Sequence, residues 1–121
     1  MEVQSYKDLI VWQKSMLMVK DIYRITQRFP REEIYGLTSQ IRRAAVSIPS
    51  NIAEGQARAG RAEFPNFLSI ARGSLAEVET QLLIAADLQY LTADDLSAVL
   101  SVHTEIGKML NSLMNKLATS H

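Results

Sequence analysis

The sequence has no cysteine, which rules out a disulfide framework, a thiolate metal site and a cysteine nucleophile. Its two histidines are His103 and the terminal His121, and the paired Glu-x-x-His motifs of bundle di-metal sites do not occur. No apolar run approaches the length needed to cross a bilayer, and Leu9–Val11 is too brief for the core of a secretion signal. A soluble, cytoplasmic protein is expected. Strand-like alternation is missing, and the glycines Gly55 and Gly60 bracket a loop without the lysine and hydroxyl residue of a phosphate loop. Net charge is also missing, which taken alone argues against nucleic acid.

What is present is apolar residues, 47% of 121, enough for one domain with a real core. The charge is unevenly spread. Residues 1–72 carry eleven Lys/Arg against seven Asp/Glu, while residues 73–121 carry two against six. Such asymmetry either builds a basic face or is neutralised across helix contacts.

Apolar spacing in threes and fours marks four helices. In the first, Leu9, Trp12, Met16, Val19 and Tyr23 form the expected seam. Ser5 is its expected N-cap with Asp8 in the first turn, and Phe29-Pro30 stops it. A second helix opens at Arg31 and runs through Ile34, Leu37, Ile41, Ala44, Ile48 and Ile52, ended by Gly55 and residues 57–60. Pro49 inside it predicts a kink. A third spans about residues 61–90 on Phe64, Phe67, Ala71, Leu75, Val78 and Leu82, with Pro65 tolerated in its first turn. Thr92 caps the fourth, whose seam is Leu96, Val99, His103, Ile106, Leu110, Leu113 and Leu117. Short connections predict an all-α, antiparallel up-down-up-down four-helix bundle as a single domain, 1–121. Surplus apolar stripes (Met18, Ile22, Ile25 and Phe29 on the first helix; Ile70, Ile84 and Leu88 on the third) predict contacts between subunits.

Polar residues on the second helix are also patterned. Gln40, Arg43, Ser47, Asn51, Glu54 and Arg58 fall within about 80° of arc at 3.6 residues per turn. This ribbon reads either as a hydrogen-bonded seam between helices or subunits, or as a strip for a phosphate or other ligand. Glu54 and Arg58 are spaced to pair, and Arg42 points away from Arg43. Arg58, Arg61 and Arg72 gather around the second connection, and arginine forks suit phosphate. No RNA-reading module accompanies them. His103 is read as a buried seam residue, and Glu77 and Glu79 diverge on their helix, so no catalytic pair, metal site or cofactor is expected.

The run Tyr35–Gly55 (YGLTSQIRRAAVSIPSNIAEG) closely resembles the hallmark of the S23, or 23S rRNA intervening-sequence, proteins. Phe67–Leu82 (FLSIARGSLAEVETQL) resembles their second hallmark, and Tyr6–Lys14 (YKDLIVWQK) and Ile106–Leu110 (IGKML) also match. The resemblance implies an antiparallel four-helix bundle that assembles as a ring-shaped homopentamer. Some members are encoded within insertions in bacterial 23S rRNA genes. A related branch comprises basic pentamers that serve retroelement reverse transcriptases, whereas this neutral chain is more similar to the intervening-sequence branch. Arg42, Arg43, Asn51, Glu54, Arg72, Glu77 and Glu79 lie in the matched hallmarks, for which the family offers no catalytic role. The expectation is a non-enzymatic homo-oligomeric scaffold binding RNA or a ribonucleoprotein through Arg42, Arg43, Arg58, Arg61 and Arg72. The alternative is a protein-binding adaptor without direct RNA contact.

Overall fold

A computed structural model describes residues 5–58 and 62–119. Four α-helices form: α1 (Ile10–Thr26), α2 (Leu37–Ala57), α3 (Phe64–Asp87) and α4 (Ala93–Thr119), with no strand among the described residues. Cross-helix contacts fix their directions. Lys14 pairs with Glu105 at 2.9 Å and Arg28 with Asp95, so α1 and α4 are antiparallel. His103 meets Leu75, and Arg72 meets Asn111, which sets α3 against α4. Each helix packs on the next in the chain, and α4 closes back on α1. No helix is long and apolar enough to cross a membrane among the described residues.

The helix ends show why the chain folds in these pieces. Ser5 does cap, but what it caps is a 3-10 turn, Tyr6–Asp8. Its hydroxyl accepts from Lys7 N–H at 3.1 Å, and the Ser5 N–H donates to the Asp8 carboxylate at 3.2 Å. Leu9 is extended, so α1 starts one residue later. A second 3-10 turn, Arg31–Glu33, precedes α2, which opens after Gly36 instead of at Arg31. Thr92 caps α4 as expected, its hydroxyl accepting from Asp95 N–H at 3.1 Å. At the end of α3, Gln89 takes φ 63°, where glycine is usual. Tyr90 N–H then reaches Ala85 O and Gln89 N–H reaches Ala86 O.

Two expectations are corrected. Gly55 does not end α2: it is buried inside the helix, where a Cβ would lie 2.7 Å from Phe67 Cβ. The residue is glycine because α3 passes too close for a side chain. The other correction concerns α1. Its buried stripe is Val11, Ser15, Met18, Ile22 and Ile25, continued past its end by Phe29, and the expected seam of Trp12, Met16, Val19 and Tyr23 lies at the surface or only partly covered. Both stripes have heptad spacing. Ser15 made the true one look polar, but its hydroxyl is satisfied by Val11 O at 2.7 Å, so burying it costs little. The core stripes of α2, α3 and α4 largely match the sequence, except that Ile34 is exposed and precedes α2, and that Phe64 and Phe67 of α3 are half-buried while Leu68 beside them is fully buried. Full burial of Met18 or Ile22 contributes about 1.5–3 kcal/mol each.

Candidate functional site

The polar ribbon of α2 lies on its α3 side. Ser47 and Ser74 share a hydrogen bond across the helices at 2.8 Å, and Asn51 Nδ2 donates to Ser47 O and Oγ. This middle portion is a seam inside the subunit. Toward the start of α2 the seam opens into a cleft of about 390 Å³ lined by Gln40, Arg43, Glu77 and Gln81. Arg43 and Glu77 do not pair across it, and Gln81 Oε1 is buried without a hydrogen-bond partner. Glu79 sits elsewhere on α3, exposed and outside the cleft.

The arginines do not gather into one patch. Arg42 lies on the α1 side of α2, its guanidinium 4.5 Å over the Tyr23 ring, with Nε donating to Thr26 Oγ1 at 2.8 Å. Arg58 pairs with Glu54 at 2.8 Å as expected, lies 3.6 Å from Glu63, and stacks over Phe67. The Glu54 hydrogen bond first, and the Glu63 charge second, raise its pKa further above the ordinary arginine value. Arg72 faces α4 and donates to Asn111 Oδ1 at 3.2 Å. Arg61 lies outside the described residues. Charge from the two halves of the chain is partly cancelled by the Lys14–Glu105 and Arg28–Asp95 pairs. His103 is 8% exposed with Nε2 at 2.7 Å from Leu75 O, a core histidine bonded to backbone.

On the other side of α2 the surface is apolar. Trp12, Met16 and Val19 of α1 and Val46, Pro49 and Ala53 of α2 line a hollow of about 310 Å³, with Met16 41% and Val46 40% exposed. Sequence reasoning found surplus apolar surface on α1 but placed it on the wrong stripe. On α3 the surplus residues Ile70, Ile84 and Leu88 are exposed as expected.

These features define an all-α four-helix bundle protein with an apolar face on the α1 side of α2, a polar cleft on its α3 side and no group of three metal-ligating side chains among the described residues. The chain belongs to the 23S rRNA-intervening sequence protein family, which it matches over residues 7–112. It is also similar to a protein of unknown function from the S23 ribosomal protein family of Bacteroides thetaiotaomicron. That structure superposes with a TM-score of 0.80 at 28% identity, covering 88% of this chain and 96% of the other. No match emerges among curated proteins.

Proposed function

We propose that the chain is a non-enzymatic, homo-oligomeric scaffold working in the cytoplasm, with the ring of five that the family resemblance implies as its assembly. The observation that carries this reading is the α1–α2 face, where Met16 and Val46 are exposed and Trp12 and Val19 are only half-covered in an isolated subunit. A second copy is its occupant. The two halves of the chain have opposite charge excess, so like faces meeting about a twofold axis would repel, while head-to-tail packing brings opposites together. Such heterologous contacts close into rings. The exposed Ile70, Ile84 and Leu88 of α3 are the complementary apolar ridge.

RNA or a ribonucleoprotein, held through Arg42, Arg43, Arg58, Arg61 and Arg72, is one reading of the scaffold's cargo. The adaptor reading, with a protein as cargo, is favoured by one observation: Arg58 and Arg72 already bond within the subunit. The deciding experiment is light scattering after size exclusion on the wild type and on Met16→Asp/Val46→Asp. The wild type should weigh a multiple of 13.6 kDa, and the variant should be a monomer of unchanged helicity. A wild-type monomer would end the scaffold reading.

A further inference from the structure

The corner where α1 ends and α2 begins holds a cleft of about 290 Å³ that neither the apolar face nor the polar ribbon uses. Gln27, Arg31, Ile34, Thr38 and Arg42 are among its lining residues. Thr38 is only 5% exposed, and its Oγ1 has no hydrogen-bond partner. A buried hydroxyl without a partner is costly, so its presence points to a group that completes it. Arg42 is already oriented by Tyr23 and Thr26, using Nε and Nη2, which leaves N–H groups on a planar fork. Arg31 is exposed and forms no ion pair among the described residues.

No carboxylate forms an ion pair with Arg31 or Arg42 among the described residues. Glu33 is occupied by Leu37 N–H at 3.0 Å and by the Tyr90 hydroxyl at 2.9 Å. The first turn of α2 adds the positive end of its dipole. Tyr35, which follows the cleft residue Ile34 in the chain, is 98% exposed, an aromatic ring open to solvent.

We propose that this corner binds a phosphate group of single-stranded RNA, held by Arg31, Arg42 and Thr38, with the adjoining base stacked on Tyr35. Two forks and a hydroxyl suit the two non-bridging oxygens and the single negative charge of a phosphodiester. An aromatic ring free on its faces suits an unpaired base. The site is complete in one subunit, so it goes beyond the scaffold reading and does not depend on it. Assembly would repeat it around the oligomer and raise avidity without new contacts.

The test is fluorescence anisotropy of a labelled single-stranded oligoribonucleotide with the full chain at two salt concentrations, with light scattering on the same samples. Arg31→Ala is expected to weaken binding about tenfold and to reduce the salt slope by about one. Thr38→Val should weaken binding several-fold while raising the melting temperature, because it removes an unpaired buried hydroxyl. A merely structural threonine would not move the two readouts in opposite directions. Tyr35→Ala should also weaken binding, and Lys116→Ala, in the last turn of α4 at the opposite end of the bundle, should not. Wild-type affinity in both Arg31→Ala and Thr38→Val, or no binding by the wild type at either salt, would overturn the proposal. So would competition by oligoglutamate as strong as by RNA, or by inorganic phosphate as strong as by the strand, phosphate for phosphate. RNA binding that survives in a monomer would uphold the site while ending the scaffold reading.

Discussion

The two sides of α2 show opposite ways of finishing a helix surface. Toward α3 it presents small and polar residues, and the helices approach until Ser47 touches Ser74 and only glycine fits at position 55. Toward α1 it presents Val46, Pro49 and Ala53 beside Trp12 and Met16, and a hollow remains. The α3 side is closed mostly by groups within the subunit, so its middle is structural. The α1 side is apolar and unfinished, which is the state expected of a surface awaiting a partner. Polarity is therefore a poor guide to function here: much of the polar ribbon is internal, and the apolar stripe is what faces outward.

The contrast can be broken most sharply at Gly55. Gly55→Leu should cost about 3 kcal/mol or more, because the side chain enters space held by Phe67 and Phe64 and the helices must separate. Chemical denaturation would read this as a large drop in midpoint. A next-larger effect is expected at the hydroxyl pair. Ser47→Ala alone should cost about 1–2 kcal/mol by stranding Ser74 and loosening Asn51, while Ser47→Ala/Ser74→Ala should lie closer to wild type. Additive losses in that double-mutant cycle would show that the seam is not a coupled unit.

A smaller gain should come from Gln89→Gly. The left-handed backbone there costs a residue with a Cβ, so glycine should stabilise by about 0.5–1 kcal/mol, read as a higher melting temperature. On the open face, Met16→Ser should change the stability of a monomeric background by less than about 0.5 kcal/mol. A larger loss would mean that the face is core after all.

The smallest effect is a pH dependence at the Glu33–Tyr90 bond. Glu33 is held below its ordinary pKa, first by Leu37 N–H and then by the Tyr90 hydroxyl. Tyr90 is held above its own, first by that same bond to Glu33. A lowered carboxylate stabilises the fold above its unfolded pKa, and this is lost as pH falls through the folded value. A raised phenol stabilises below its unfolded pKa, and this is lost as pH rises through the folded value. The bond therefore contributes between the acidic and alkaline limits. Melting curves of Glu33→Gln against pH should lie below wild type near neutrality and converge with it in acid; parallel curves would sink the assignment.

The sequence by itself determined four helices, three of the four core stripes, the Thr92 cap, the Pro65 entry and the Glu54–Arg58 pair. All of these follow from spacing and local hydrogen bonding within a few residues. Only the tertiary structure decided which of two heptad stripes on α1 turned inward, because each is amphipathic alone and the choice rests on what α2 and α4 present to it. It also decided that Gly55 serves a helix crossing, that Arg42 and Arg72 bond to other helices, and that Thr38 faces a cleft without a partner. No local pattern records these, since each depends on side chains brought together from far along the chain, and periodicity reports a face without naming its neighbour.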